Sequence, residues 1–178
     1  MASRYIEFDF SNLREFVDRL GAAGKTDFKR ELVTFMEAIG DDFLRIIEDE
    51  IIRLESVDTR LLLNSFQKES SGSNGNVYVM NEGDLTLEVG TVVSYASFVN
   101  DGHWTNPKGV ETRWIPGYWS GDHFIYSPGA KTGMLLRQKW IEGSHYFDSA
   151  VRILEQMLPQ ILERKSQQWL DSYFAEFL

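Results

Sequence analysis

The stretch FKRELVTFMEAIGDDFLRIIEDEIIRL, residues 28–54, decides the fold, because its apolar residues recur with the period of an α-helix. The stripe comprises Phe28, Leu32, Phe35, Met36, Ile39, Phe43, Ile46, Ile47, Ile51 and Leu54. It predicts one amphipathic helix of about seven turns that begins after Thr26 and buries one face. Gly40 interrupts the stripe at a cost of about 1 kcal/mol relative to alanine, which predicts a bend or a close helix contact at this point.

Shorter helical segments flank this helix, and a second long helix is predicted at the C-terminal end. Ser11 is a candidate N-cap for a helix over residues 11–20, and Asp58 or Thr59 for a turn in VDTRLLLNSF, residues 57–66. From Ser144 onward one face carries Phe147, Ala150, Val151, Leu154, Leu158, Ile161 and Leu162. Pro159 lies inside this helix and is expected to kink it, because proline removes a backbone donor and clashes with the preceding turn.

The middle of the chain has strand patterns instead. The polar run QKESSGSNGN, residues 67–76, predicts an exposed loop. Alternating apolar residues in NVYVMN and DLTLEVGTVV, on either side of an Asn/Gly turn, predict a β-hairpin. SYASFVN, residues 94–100, is expected to form a short helix after it.

Residues 102–133 differ in composition, with six glycines, three prolines and three tryptophans. Their lack of clear periodicity predicts a long aromatic loop, within which TRWIPGYW and HFIYS are candidates for a second hairpin. Four large aromatics are candidate interface residues: Trp104, Trp114, Tyr118 and Trp119. The alternative for the same side chains is that they fold back and complete the core. Exposed aromatics also suit sugar rings, so a carbohydrate- or host-ligand-binding module remains a second reading.

The predicted fold class is α+β: a long N-terminal helix and a kinked C-terminal helix packed on a small antiparallel β-sheet, with a long aromatic loop. The length of 178 residues predicts a single domain over 1–178. Its expected parts are a helical region at 1–66, β-hairpins and the loop at 77–142, and the C-terminal helix at 144–178.

Bulk composition narrows the function classes. With 18 basic and 27 acidic residues the net charge is −9, which disfavours tight binding to a phosphate backbone. Cysteine is absent, which removes disulfides and thiolate chemistry. Neither a membrane span nor a signal peptide is recognisable, so the chain is expected to stay in the cytoplasm where it is made.

Residues with catalytic or metal-binding chemistry are few. The stretch SYASFVNDGHW, residues 94–104, places Asp101 near His103, and Asp122, His123 and His145 are the other candidate metal ligands. These spacings do not aim several lone pairs at one point, so a metal-dependent hydrolase is the weakest reading. No nucleophile elbow or phosphate loop occurs either. The prediction is therefore no catalytic residue, no metal and no cofactor.

Three segments resemble a family of small tail components of tailed phages and phage-like particles, typified by the tenth gene product of a lambdoid coliphage. They are VDTRLLLNSF (57–66), VGTVVSYASFVNDG (89–102) and GMLLRQKWIEGSHYFDSAV (133–151). The residues that carry the resemblance are Asp58, Thr59, Leu61, Ser65, Tyr95, Ala96, Val99, Gly102, Gly143, Phe147 and Ala150. Two departures are Arg60, where the family often has glycine and where φ is therefore expected to be negative, and NDGH in place of Glu-x-Gly-Thr.

The resemblance implies a structural virion protein of the neck or tail-completion region, without catalysis. Its implied partners are other virion proteins, namely the head connector or stopper and the tail terminator or tail tube, together with copies of itself in a ring. DNA would pass nearby without specific binding, and no membrane is involved. The protein would be assembled in the host cytoplasm and reside in the virion.

Overall fold

The computed structural model describes residues 4–11, 14, 27–56, 60–67 and 75–174. The helix predicted over 11–20 lies almost entirely outside these residues, as do the candidate caps Asp58 and Thr59 and most of the predicted loop at 67–76.

The described elements are helices together with runs of antiparallel strands, which confirms the predicted α+β class. In chain order they are β1 (Arg4–Asp9), α1 (Asp27–Arg53), α2 (Leu61–Asn64), β2 (Asn76–Asn81), β3 (Thr86–Thr91), α3 (Ala96–Asp101), β4 (Gly102–Trp104), β5 (Thr112–Ser120), β6 (His123–Tyr126), β7 (Gly133–Arg137), β8 (Trp140–Glu142) and α4 (Tyr146–Phe174). α4 continues on both sides of Pro159, and the kink at this residue stays a prediction.

The chain forms two compact units. One, which we call the body, comprises residues 1–100 and 145–178, and the other, the insert, comprises residues 101–144. That all 178 residues fold as a single domain stays a prediction.

The core of the body forms between α1 and a three-stranded sheet. Leu32, Met36, Phe43, Ile47 and Ile51 of the apolar stripe are fully buried, which confirms the period read from the sequence. β3 lies at the centre of the sheet in the order β1-β3-β2, with antiparallel neighbours on both sides. The hairpin predicted from the alternating pattern is therefore present as β2 and β3.

β1 corrects the prediction that residues 1–66 are helical. Arg4 to Asp9 pair with Thr91 to Thr86 of β3, more than 75 residues away. Phe8 is buried, and its ring meets that of Phe43 edge-on at a centroid distance of 5.7 Å. The strand therefore closes one edge of the core.

α1 and α4 run antiparallel, held by aromatic contacts. Phe43 of α1 contacts Phe147 near the start of α4 at 5.7 Å between ring centroids, and Phe35 contacts Trp169 near its end at 5.6 Å. Both pairs are edge-to-face, the favourable geometry for aromatic quadrupoles. The predicted packing face of α4 is confirmed at Phe147, Ala150 and Leu154, all of which are buried.

Gly40 brings α1 close to the sheet, so the predicted close contact is with strands rather than with another helix. A Cβ at this position would lie 2.7 Å from Leu87 Cδ2 and 2.9 Å from the Tyr78 hydroxyl. That hydroxyl donates to the Glu37 carbonyl or the Asp41 carboxylate, at 3.1 and 3.2 Å. Burial and the neighbouring Asp41 raise the pKa of Tyr78, so it remains a protonated donor.

Arg60 adopts φ 60°, so the prediction of a negative φ at this position was wrong. It precedes α2 in the left-handed conformation, and its carbonyl accepts from Asn64 N at 2.8 Å. A non-glycine residue costs about 1–2 kcal/mol in this conformation. Burial of Leu62 and Phe66 immediately afterwards offsets that cost.

Asn100 joins the two points at which the chain leaves and re-enters the body. Its fully buried side chain accepts from Phe147 N at 2.9 Å and donates to Asp148 Oδ2 at 3.0 Å, while its carbonyl accepts from His145 N at 3.0 Å. Phe147 N lies in the first turn of α4, where backbone donors lack helical partners. Asn100 thus caps α4 from another segment of the chain.

The insert replaces the predicted aromatic loop with two small antiparallel arrangements. β4 pairs with β8, and β5 lies between β6 and β7. The candidate hairpin of TRWIPGYW with HFIYS is present as β5 and β6, and residues 133–137 add a third strand that the sequence analysis did not predict. The helix expected in SYASFVN is also present, as α3.

Replacing Gly40 with alanine tests the contact between α1 and the sheet. We expect Gly40→Ala to lower the free energy of unfolding by up to about 2 kcal/mol in urea denaturation, because the overlap of the methyl group with Leu87 outweighs the gain of about 1 kcal/mol in helix propensity. Ala38→Gly, at an exposed position of the same helix, measures helix propensity alone, about 1 kcal/mol. If Gly40→Ala raised the free energy of unfolding by about 1 kcal/mol, as helix propensity alone predicts, the close contact would be disproved.

Removing the cap from α4 is a second test. Asn100→Ala is expected to cost about 1–3 kcal/mol of unfolding free energy, because it leaves the Phe147 N–H buried without its acceptor. Gln156→Ala, at an exposed position of α4, should stay within about 0.5 kcal/mol of the unaltered chain. Equal stability of the two variants would contradict the capping role.

Candidate interaction surface

The insert leaves its large aromatic side chains exposed. The four predicted interface residues are each more than half exposed: Trp104 at 56%, Trp114 at 55%, Tyr118 at 51% and Trp119 at 58%. Within residues 101–144, all of which the structure describes, no large apolar side chain is buried. These aromatics therefore do not complete a core inside the insert.

One face of the β6-β5-β7 sheet collects two of these aromatics with two aliphatic side chains. Trp114 stands opposite Leu135 of β7, and Tyr118 stands opposite Ile125 of β6. Because side chains alternate along a strand, all four project from the same side of the sheet. We call this set, with Arg137 at its end, the aromatic face.

Trp104 and Trp119 lie elsewhere, so the four predicted residues do not form one patch. Trp119 has the opposite parity on β5, and its ring meets that of Phe124 at 5.4 Å. Trp104 belongs to the β4-β8 ribbon and packs edge-on against Trp140 at 5.4 Å. Leu135 and Ile125 are the members of the aromatic face that sequence analysis missed, because only the register identifies them.

Hydrogen bonds rather than a core hold the insert in shape. Thr105 Oγ1 donates to the Arg137 carbonyl at 3.0 Å and accepts from Lys139 N at 2.9 Å. The buried Asn106 donates to the Leu136 carbonyl at 3.0 Å, and Thr132 Oγ1 donates to the Gly117 carbonyl at 2.8 Å. The backbone that carries the aromatic face is thus held by hydrogen bonds between segments, which reduces the conformational entropy lost on binding.

Charge is divided unequally between the two units. The insert carries five basic and four acidic residues, whereas the remaining thirteen basic and twenty-three acidic residues give the body a net charge of −10. The strands β5, β6 and β7 contain Arg113 and Arg137 but no carboxylate. Of the two, only Arg137 projects from the aromatic face, because Arg113 has the opposite parity to Trp114 on β5.

The residues of the family resemblance mostly support the body. Ser65, Ala96, Phe147 and Ala150 are buried, Leu61 is largely exposed, and Tyr95 and Val99 pack against the core. Ser65 Oγ accepts from Thr91 Oγ1 at 2.9 Å, which ties α2 to the central strand. Gly102 and Gly143 lie in the insert, and Gly102 has φ 83°, with Ile141 O 2.5 Å from where a Cβ would stand. Their collective role stays a prediction.

The candidate metal ligands do not form a cluster. Asp101, His103, Asp122 and His123 belong to the insert, and His145 belongs to the body, where its Nδ1 lies 3.3 Å from Asp148 Oδ2. Among the residues that the structure describes, no three His, Asp or Glu side chains are placed to share a metal ion. Within the same residues, no helix has the length and apolar character needed to cross a membrane.

Comparison with known proteins gives a family and two full-length relatives. Residues 14–102 match the profile of the family described as "Bacteriophage HK97-gp10, putative tail-component". This range includes the first two resembling segments, while the third, at 133–151, lies beyond it. No solved structure matches the chain significantly.

Both relatives come from Bacillus subtilis (strain 168). The protein YqbI is 48% identical over 165 residues, covering 91% of this chain and 97% of YqbI. The phage-like element PBSX protein XkdI is 43% identical over 160 residues, covering 90% of this chain and 96% of XkdI. The family match covers half of the chain, and both similarities extend over nearly all of it. The chain therefore belongs to the HK97 gp10-like family of phage tail components and is a phage structural protein.

Proposed function

We propose that this protein acts in the neck of a tailed phage or phage-like particle, where it completes the tail and joins it to the head connector. The single observation that carries the proposal is the aromatic face, an exposed apolar surface on a sheet of this chain. The chain in turn belongs to a family of phage tail components. Exposed apolar patches of this kind mark interaction sites. Its partners are other virion proteins, the connector or stopper on one side and the tail terminator or tube on the other.

The relatives support a place in an assembled particle. XkdI belongs by name to the phage-like element PBSX, and the similarity extends over 90% of this chain. In our proposal the protein is made in the host cytoplasm and ends in the virion, without an enzymatic step. The residues of the family resemblance, Ser65 and Phe147 among them, serve to build the body that carries the insert.

A protein partner fits the aromatic face better than a sugar. Sugar-binding aromatics need hydrogen-bonding side chains beside the ring, because a sugar ring has hydroxyl groups at its edge. Here the cross-strand neighbours of Trp114 and Tyr118 are Leu135 and Ile125, both aliphatic. Such a patch resembles the apolar centre of a protein interface with a charged rim.

The acidic body suits a position beside the path of DNA. With a net charge of −10 it repels a phosphate backbone, and tight binding to DNA depends on basic residues that release counterions. DNA could therefore pass the neck without adhering to this protein.

Deleting the insert tests the proposed function. Residues 101–144 are replaced by a short glycine bridge, which is feasible because His145 N donates directly to the Asn100 carbonyl. We expect the body to unfold cooperatively with a Tm close to that of the unaltered chain, because the insert contributes no large apolar side chain to the core. Particles that carry the variant should accumulate as unjoined heads and tails in electron micrographs.

A point variant keeps the test decisive if the deletion fails to fold. Trp114→Ser with Leu135→Ser removes the apolar centre of the aromatic face and keeps every strand. The matched control is Met157→Ser with Leu170→Ser on the exposed surface of α4. Joined, infectious or complete particles from the Trp114/Leu135 variant would disprove the role of this face in the neck.

A further inference from the structure

We infer that the aromatic face of the insert binds the outer face of α1 in a second copy of this chain, so that copies associate head to tail. The outer face of α1 consists of Arg45, Glu48, Asp49 and Ile52. This inference rests on the proposed function and names one partner of the surface described there.

The aromatic face offers apolar area with positive charge at its border. Trp114, Tyr118, Ile125 and Leu135 supply the apolar centre, and Leu135 is 58% exposed. Arg137 lies on the same side of the sheet and is exposed, Lys131 and Lys139 flank β7, and the carboxylates of Glu111 and Asp122 flank β5. A surface that complements the Arg137 end of this face would present carboxylates beside an apolar group.

The outer face of α1 has both properties. Ile52 is 57% exposed although it lies in a helix whose other isoleucines are wholly or partly buried. From Glu37 to Glu55 the chain carries seven carboxylates against two guanidinium groups. Arg53 is already bound to Glu50, at 2.6 and 2.7 Å, and Arg45 pairs with Asp42 at 3.6 Å.

Two carboxylates of this face, Glu48 and Asp49, are the proposed partners of the cations, although Arg45 on the same face already attracts Glu48. Neither Glu48 nor Asp49 forms an ion pair within the part of the chain that the structure describes. Partial burial, and then the charge of Asp49, raise the pKa of Glu48. A cation brought by another molecule would relieve this repulsion between like charges.

Charge also selects the head-to-tail arrangement over symmetric pairing. Two aromatic faces brought together would set Arg137 and the flanking lysines against their own copies, with no carboxylate in the three strands. Two outer faces of α1 would set Glu48 and Asp49 against each other. The unlike pair brings together more opposite charges than either symmetric pair, and an interface of unlike surfaces repeats until it closes into a ring or extends as a filament.

Thiol cross-linking tests the contact, because the chain contains no cysteine of its own. Purified Leu135→Cys and Ile52→Cys variants are mixed in equal amounts at low salt and treated with a short bismaleimide, which traps brief encounters. We expect a cross-linked dimer in this mixture and little from either variant alone. The control mixes Leu135→Cys with Met157→Cys, whose position on α4 is also exposed.

Exchanging charges identifies the pairing. One charge change, Arg137→Glu, is added to the Leu135→Cys variant, and the other, Asp49→Lys, is added to the Ile52→Cys variant. Each altered variant, mixed with the other cysteine variant in its original form, should give several-fold less dimer. Combining the two altered partners should restore it. Arg164→Glu on α4, placed with Leu135→Cys, should leave the yield unchanged.

Two results would overturn the inference. One is a yield in the Leu135/Ile52 mixture no greater than in the Met157 control, and the other is a dimer of Leu135→Cys alone, which indicates symmetric pairing. The particle experiment above is independent of both. If removal of the aromatic face left heads and tails unjoined while no specific cross-link formed, the proposed function would stand and its partner at this face would be a different virion protein.

Discussion

Asn100 occupies the position on which the two-unit arrangement depends. Its side chain is fully buried, so each of its polar groups must be satisfied within the protein. Its Oδ1 accepts from Phe147 N in the first turn of α4, and its Nδ2 donates to Asp148 Oδ2. Its backbone carbonyl accepts from His145 N, just before the same helix. The end of α3 and the start of α4 are therefore held next to each other by hydrogen bonds within the body.

This junction explains how the chain accommodates an insert without a core. The 44 residues of the insert bury no large apolar side chain and are ordered by backbone pairing and by side chains such as Thr105 and Asn106. Small sheets that bury no hydrophobic face are marginal on their own. Because hydrogen bonds of Asn100 join the two ends of the body, we expect its stability to depend little on how well the insert is packed.

Features set by local periodicity could be predicted from the sequence, and features set by distant pairing could not. α1, α4 and the hairpin of β2 and β3 follow from apolar residues that recur every 3.6 or two positions. β1 has the alternation of a strand over six residues, but its partner β3 lies far along the chain, and nothing local marks that pairing. The left-handed Arg60 was missed for a related reason, since a steric preference is overridden by the burial of residues that follow it.

The candidate site shows the same division. Composition predicted candidate interface aromatics within residues 102–133, and two of them, Trp114 and Tyr118, are exposed together on one face. The parity of β5 separates Trp119 from them, and the register with β6 and β7 adds Ile125 and Leu135. Parity and register are properties of the folded sheet, because a shift by one residue would move every side chain to the other face.

The insert carries the exposed aromatic face, whereas the body carries most of the negative charge. Burying Trp114 or Leu135 inside the insert would stabilise it by roughly 25 cal/mol for each Å² removed from water, and would leave nothing for a partner to bury. In our proposal these side chains are buried when a partner binds, and that burial then stabilises the complex. Because hydrogen bonds already fix the backbone, binding would cost little backbone entropy. The body has a net charge of −10, which disfavours non-specific binding to nucleic acid. An apolar surface with Arg137 at its end, on a chain that is otherwise acidic, is the feature from which we infer an acidic protein partner.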